Sequence, residues 1–242
     1  MDALTEELLG VVVSHVDYGE ADRIVHLVTP ERGHVAAMAR GARKSKKRFG
    51  GALDIGNRVR LRMSRGKGEL WRLTGATLDH GRPHARGDIE RIALSVYACE
   101  LVGLLCPKEQ PAPIFYGLLD TALLVLDACS GPPSTAWRPA LEAKALTFAG
   151  FAPRLESCDV CGLEATGDLV FSASNGGVRH AMCGGGVEVS EAFVRALERG
   201  RRTPLAELVD VELPPGDSWL LNELLVWHVG RALKSRSLLD VL

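Results

Sequence analysis

The first 80 residues alternate between apolar and polar positions with the period of two that is typical of β-strands. The clearest run is NRVRLRMS, in which Val59, Leu61 and Met63 share one face and the arginines share the other. Turn-prone stretches such as DYGEAD, PERG and RGKGE separate the runs. Four or five short strands with one apolar face favour a closed or nearly closed barrel. No helical period is found before residue 86.

Beyond residue 86 the apolar positions recur with a helical period. Asp88 is a candidate N-cap for a helix that ends before Pro107. Further helices are predicted over about 113–129, 139–149 and 217–233, and Ser190 begins a short helix that Gly200 is expected to stop. Residues 151–189 lose the period and gain Cys and Gly. The pattern therefore predicts an α+β multidomain chain, in which a barrel is followed by a helical bundle with a Cys-rich insert.

Composition is ordinary for a globular protein, with 46% hydrophobic and 24% charged residues. No apolar run reaches the roughly 18 residues that a membrane span needs. The N-terminal MDALTEELLG is acidic where a secretion signal would be basic. We therefore expect a cytoplasmic protein that does not contact a membrane.

Charge changes this picture, because the net charge of −1 conceals a strong asymmetry. From Arg40 to Arg72 there are twelve basic and two acidic residues, a net charge of +10. The remaining 17 basic and 28 acidic residues give −11. A polycationic segment on an acidic body indicates a surface for nucleic acid or another polyanion, and the alternative is a solvated basic face without a ligand.

The basic residues of this segment fall into two groups. Phe49 and Trp71 are the nearby aromatic residues, and core packing explains both, so base stacking is expected to be secondary. Affinity for DNA should then be mostly electrostatic and independent of base sequence. The candidate DNA-contacting residues are Arg40, Arg43, Lys44, Lys46, Lys47 and Arg48 on the connection between the third and fourth strands, and Arg58, Arg60 and Arg62 on the outer face of the fourth strand.

The Cys-rich insert has the spacing of a tetrahedral metal site. Cys158 and Cys161 form a C-x2-C turn, and His180 and Cys183 repeat the two-residue gap 18 residues later. Four soft or borderline ligands leave no open coordination position, so the expected role is one structural Zn2+. A metal-free knuckle is the alternative. A redox pair would need a βαβ setting, and a zinc deaminase would need H-x-E, which is absent here.

Signatures of catalysis are missing from the sequence. There is no G-x4-G-K-[ST] loop and no G-x-S-x-G. Asp17, Glu20 and Asp22 cluster in a turn where acidic residues are ordinary. Cys99, Cys106 and Cys129 lie in apolar helical patterns, as small core residues do. We therefore expect no catalytic residues and a protein that is not an enzyme.

Several stretches together resemble the RecO family of bacterial recombination mediators. They are VVVSHVDYGEADRIVHLVTPERGHVAAMARGARKSKKRFGGALDIG, ALEAKALTFAGFAPRLESCDVCG, GGVRHAMC and HVGRALKSRSLL, and they occur in order from end to end. The resemblance implies an N-terminal OB-fold over 1–82, a helical domain over 83–150 and 190–242, and a zinc knuckle inserted at 151–189. It also implies binding to single- and double-stranded DNA, strand annealing, and partnership with RecR and single-strand DNA-binding protein near the nucleoid.

Two features depart from the family pattern. Zinc-bearing members commonly carry four cysteines, and His180 stands where the third would fall. The GGG after Cys183 is expected to loosen the second knuckle. The alternative function is a scaffold whose helices near 101–126 recruit other repair proteins through an acidic-hydrophobic peptide. A zinc-ribbon transcription factor is less favoured, since no recognition helix with base-reading side chains is evident.

Overall fold

The computed structural model describes residues 5–65, 68, 70–214 and 219–239, and the side chains of Lys46 and Lys47 lie outside that description. Two compact units are present, one of Met1–Gly131 with Ser237–Leu242 and one of Pro132–Arg236. The first unit thus joins the barrel to the first two long helices. The domain boundaries at 82, 150 and 189 stay a prediction.

A closed five-stranded barrel forms the N-terminal part of the first unit. Its strands are β1 Thr5–Tyr18, β2 Asp22–Thr29, β3 Gly33–Ala39, β4 Arg58–Arg65 and β5 Trp71–His80. They are arranged in the order β1-β2-β3-β5-β4, which is the order of an OB-fold. All neighbours are antiparallel except β3 and β5. The predicted barrel is therefore confirmed.

The interior of the barrel is filled by inward-facing apolar side chains from every strand. Val59, Leu61 and Met63 of β4 are fully or almost fully buried, as their alternation predicts. A short helix, α1 Lys46–Phe49, lies in the connection between β3 and β4. The expectation of no helix before residue 86 is wrong at this point, because a four-residue helix is too short to produce a detectable period.

Helices α2 Ile89–Leu105 and α3 Pro113–Ala128 complete the first unit. Asp88 caps α2, since its carboxylate accepts from the backbone N–H of Arg91 at 3.0 Å. Pro113 occupies the first turn of α3, where a missing N–H costs nothing. Both helices pack on each other and on β1. The two helices thus cover the barrel on the side of β1.

The second unit combines helices with a small sheet. Its helices are α4 Trp137–Phe148, α5 Glu191–Arg202 and α6 Trp219–Val229. The short helix α7 Arg236–Leu239 begins at the last residue of this unit, and its other residues belong to the first unit. Strands β6 Leu169–Ser172, β7 Gly177–His180 and β8 Val187–Val189 form an antiparallel sheet in the order β7-β6-β8. Sequence analysis missed this sheet, because strands of three or four residues are too short to show alternation.

Two predicted helix ends are wrong. Gly200 does not stop α5, which continues because Glu198 pairs with Arg201 and Arg202 one turn later. The last helix ends at Val229 rather than 233, where Gly230 adopts a left-handed conformation with φ of 76°. The predicted start of that helix at 217 lies outside the described residues. No helix among those described is long and apolar enough to cross a membrane.

Candidate nucleic-acid interface and metal cluster

The basic loop, residues 40–48, connects β3 to β4 and is held in place by backbone hydrogen bonds. The N–H of Gly41 donates to the carboxylate of Asp22 at 2.8 Å, and the N–H of Arg43 donates to the carbonyl of Ala21 at 3.0 Å. At the end of α1, Phe49 is 3% exposed in the barrel core and anchors the loop from below. The loop is therefore attached to the barrel at both ends.

Four cations of the basic loop have described side chains, and all four residues are exposed: Arg40, Arg43, Lys44 and Arg48. The guanidinium of Arg48 donates to the carbonyl of Arg40 at 2.6 Å and lies over the Phe49 ring at 5.2 Å. Arg43 pairs with Asp17 at 3.4 Å, and both side chains are about half exposed. Such an exposed pair contributes at most about 1 kcal/mol, so a phosphate can replace the carboxylate.

The acidic turn 17–22 has a structural role beside this loop. Asp17 accepts from Arg23 at 2.9 Å, and this hydrogen bond lowers the pKa of Asp17. Asp22 binds the Gly41 N–H, as described above. The carboxylates of Asp17 and Asp22 contact the basic loop, which accounts for two of the three acids in this turn.

The three arginines of β4 project from the outer face of the barrel, as predicted, but each meets a carboxylate. Arg60 pairs with Asp79 at 3.1 Å, and Arg62 pairs with Glu7 at 3.1 Å. Both arginine side chains are largely exposed, so they remain accessible to a polyanion. Exposure together with a weak surface partner is compatible with phosphate binding.

Arg58 differs from its neighbours because it belongs to a partly buried ion-pair network. Its guanidinium donates to Asp79 at 2.7 Å and to Asp120 of α3 at 2.9 Å. Asp120 also accepts from Arg82, whose side chain is 4% exposed. The hydrogen bond from Arg58 lowers the pKa of Asp79. This network connects β4 and β5 to α3. Arg58 therefore stabilises the packing of α3 on the barrel, a role that the alternating pattern of β4 does not predict.

The Cys/His cluster in the second unit consists of Cys158, Cys161, His180 and Cys183. Their ligand atoms all lie within 4.8 Å of one another. The Nδ1 atom of His180 is 3.4 Å from the Sγ of Cys161 and 3.9 Å from the Sγ of Cys183. Tetrahedral coordination at ordinary zinc bond lengths places sulfur and nitrogen about 3.5 Å apart. The four predicted ligands are thus brought together at distances that fit one metal ion.

The imidazole of His180 is oriented as a metal ligand. Its Nε2 atom lies 3.0 Å from the carbonyl oxygen of Glu164. Because a carbonyl only accepts, Nε2 donates this hydrogen bond, and the other ring nitrogen, Nδ1, faces the thiols. The histidine that stands in place of a cysteine therefore directs Nδ1 toward the three thiols.

The thiols of the cluster differ in acidity. Burial opposes ionisation of Cys158, but backbone N–H groups of Cys161 and His180 outweigh it and lower the pKa of Cys158 to about 6. Burial and the neighbouring thiols raise the pKa of Cys183 to about 11. Three thiolates coexist in so small a volume only when a cation offsets their mutual repulsion. The donor set thus fits a soft or borderline divalent metal.

An ion pair that the sequence analysis missed links the two knuckles. Arg179 donates to both carboxylate oxygens of Asp159, at 2.9 and 2.5 Å, and both side chains are almost fully buried. Asp159 follows Cys158 in the sequence, and Arg179 precedes His180. Opposite charges beside two candidate ligands are a sequence pattern from which this ion pair could have been predicted. The pair holds Cys158 and His180 in register.

One of the three glycines after Cys183, Gly186, is required by close packing. A Cβ atom on Gly186 would lie 2.6 Å from the carbonyl oxygen of Phe171, closer than real Cβ atoms approach. Gly186 thus lets the chain enter β8 beside β6. The loosening of this knuckle by the three glycines stays a prediction.

Fold and site together define an OB-fold protein with a helical body and a Cys/His cluster able to hold a metal ion. Two family models match the chain: Recombination protein O N terminal over residues 1–82, and Recombination protein O C terminal over residues 86–237. The chain therefore belongs to the RecO family of DNA repair proteins.

Curated relatives support the same assignment. DNA repair protein RecO of Myxococcus xanthus is 39% identical over 232 residues, which cover 93% of this chain and 93% of that protein. The protein of the same name from an Anaeromyxobacter species is 39% identical and covers 97% of this chain and 95% of its own length. The Pelobacter propionicus protein is 35% identical over 95% of this chain and 94% of its own length.

Proposed function

We propose that this protein is a non-catalytic mediator of recombinational DNA repair in the bacterial cytoplasm, at the nucleoid. It binds single- and double-stranded DNA without reading base sequence, anneals complementary strands, and loads the recombinase with RecR on strands coated by single-strand DNA-binding protein. The observation that carries the proposal is the exposed basic loop anchored on an OB barrel. OB folds bind strands through such basic grooves.

Annealing follows from charge neutralisation. Two strands repel each other through their phosphates, and a cationic surface that contacts both reduces that repulsion. No nucleotide hydrolysis is needed for this step. The residues that we propose contact phosphate are the basic loop cations, including Lys46 and Lys47, together with Arg58, Arg60 and Arg62. Among those with described side chains, Arg58 is the least available, because two carboxylates already hold it.

An annealing assay tests the proposal. Complementary labelled strands are mixed with the protein, either naked or coated with single-strand DNA-binding protein, with and without RecR. We expect faster annealing than the spontaneous rate on both substrates. Absence of acceleration on naked strands would refute the DNA-binding part, whereas acceleration on naked strands alone would refute the partnership.

We also propose that the Cys/His cluster holds one structural Zn2+. The metal would supply charge that stabilises three thiolates and would join the two knuckles of a segment with a small core of its own. Elemental analysis of protein purified without added metal should find about one zinc per chain. Finding none would support the metal-free alternative.

Recruitment of partner proteins is the second candidate function, and a cavity in the first unit favours it. The leucines of α2 and α3 near 101–126 are largely core residues, so they offer no open groove. A cavity of about 260 Å3 instead lies beside them, with walls of Ile55, Ile92, Val96 and Leu123 and with Arg82 and Arg86. Apolar walls beside two arginines suit an acidic-hydrophobic peptide. Binding of such a peptide that is lost in Arg86→Glu would support this role.

A further inference from the structure

One rim of the barrel contains a tryptophan covered by two arginines. Trp71 begins β5, its residue is 3% exposed, and its indole N–H donates to the carboxylate of Glu109 at 2.8 Å. The guanidinium carbon of Arg65 lies 4.9 Å from the centre of the ring, and that of Arg32 lies 5.4 Å from it. These distances are those of cation–π contacts. The indole therefore supports two cationic groups at the surface.

The charges of this rim are already balanced. Arg32 pairs with Glu6 at 2.5 Å, and Arg65 pairs with Glu109 at 3.1 Å. Because Glu109 also accepts from the Trp71 indole, it is held beside Arg65 and repels an approaching phosphate, unlike the largely exposed Glu7 beside Arg62. A nucleobase carries no charge and stacks on the flat side of a guanidinium while the ion pair stays intact. The rim is thus better suited to a base than to a phosphate.

We propose that Arg65, supported by Trp71, is a stacking platform for a base of single-stranded DNA, a site that rests on the proposed DNA-binding function. The Arg65 side chain is 54% exposed, so it has a solvent side on which a base can lie. A cavity of about 350 Å3 is open beside it, lined by Trp71, Arg32 and their two glutamates. Arginine thereby supplies the stacking surface that the buried aromatic rings of this barrel do not offer.

The platform lies close enough to the basic loop to bind the same strand. Trp71 is the β-sheet partner of Ala37 on β3, and the basic loop begins three residues later at Arg40. Three residues of extended chain span about 10 Å. One strand can therefore place its phosphates on the loop and a base on Arg65.

This arrangement discriminates between single and double strands. A base in a duplex is paired and stacked between its neighbours, so it does not reach a platform at the protein surface. The contribution of Arg65 is therefore confined to single strands, whereas the basic loop serves both. Sequence preference stays weak, because every base has a face that can stack.

The test uses Arg65→Lys in the full chain, which keeps the charge and the ion-pair partner but removes the planar guanidinium. Arg72→Lys is the matched control, because Arg72 is an exposed arginine on β5, next to Trp71 in the chain, and is not one of the arginines that lie over its ring. Fluorescence anisotropy measures affinity for an oligothymidine, for an abasic strand of the same length, and for a duplex. Thermal melting checks that each variant is folded.

We expect Arg65→Lys to weaken binding of the oligothymidine by about fivefold, the lower end of the effect of losing one stacked base. Binding of the abasic strand and the duplex should not change, and Arg72→Lys should resemble the wild type on all three. Unchanged binding of oligothymidine by Arg65→Lys would overturn the platform, as would an equal loss on the abasic strand, which would indicate a phosphate contact.

A measurement without variants supplies a second test. The wild-type protein should bind oligothymidine about fivefold more tightly than the abasic strand, since only the former offers a base. Equal affinities would refute the platform and leave the proposed function standing. Failure of the wild type to bind any of the three DNAs would refute the proposed function itself.

Discussion

Reversing the charge of four basic loop residues, Arg43, Lys44, Lys46 and Lys47, tests the DNA interface most directly. We expect DNA affinity to fall sharply while the fold is retained. The structural cost is small, because the only described ion pair among them is that of Arg43 with Asp17, which is half exposed. Phe49 and the hydrogen bond from Gly41 to Asp22 anchor the loop independently of these side chains.

The magnitude follows from counting phosphates. If all six loop cations contact a single strand, log K should fall against log salt with a slope of about −4, since each phosphate contributes about 0.7. A slope of about −6 would mean that the three β4 arginines also take part. At 0.2 M salt each contact is worth about 0.5 in log K, so removing four contacts should weaken binding by about 100-fold.

Anisotropy titrations across a series of salt concentrations provide both quantities. The quadruple variant should bind weakly with a slope of about −1.4, from the two cations that remain. A control with Arg60→Gln and Arg62→Gln should lose less affinity, because surface carboxylates already compete for these residues. If the quadruple variant bound with wild-type affinity and an unchanged slope, the loop would not be the DNA surface.

Three further results are expected. Cys158→Ser should abolish zinc retention and lower the melting temperature, while DNA affinity per folded molecule stays unchanged. The control Cys129→Ser should keep the metal. A wild-type melting temperature for Cys158→Ser would contradict a structural site. Asp120→Asn should destabilise the protein by about 3 kcal/mol in urea unfolding, because Arg82 would lose its buried ionised partner; a change below about 0.5 kcal/mol would contradict this. Burial lowers the pKa of His34 to about 4, so the unfolded state binds the proton first as pH falls. The free energy of unfolding is therefore highest above pH 6.5, where His34 is neutral in both states. It falls as the pH drops from 6.5 to 4, because only the unfolded state takes up the proton in that range. His34→Gln should flatten the stability profile in that window relative to wild type, and parallel profiles would exclude His34.

The barrel and the metal cluster show how far local patterns reach. Alternation over Val59, Leu61 and Met63 predicted their burial because period two directly reports which face a side chain is on. The spacing of Cys158, Cys161, His180 and Cys183 predicted their convergence because two-residue gaps form turns that point both ligands inward. Both signals are contained within a few consecutive residues.

Other features escaped because they depend on residues far apart in the chain. The partner of Arg58 on α3, Asp120, is 62 residues away, and the partner of Arg62, Glu7, is 55 residues away. A period-two pattern shows that these arginines face outward but contains no information about which acids meet them. The proposed platform at Trp71 likewise combines residues that are far apart in the chain: Arg32 between β2 and β3, Arg65 at the end of β4, and Glu109 before α3.

The amino-acid order alone thus determined the class of fold, the cationic segment and the four candidate ligands, since each is written in local spacing or in composition. Tertiary structure decided which cations remain available to DNA, because availability depends on the carboxylates that folding brings within about 3 Å of each guanidinium. Closure of the barrel placed Arg32, Arg65 and Trp71 together at one rim. Local sequence spacing cannot predict that proximity, because the three residues come from different segments of the chain.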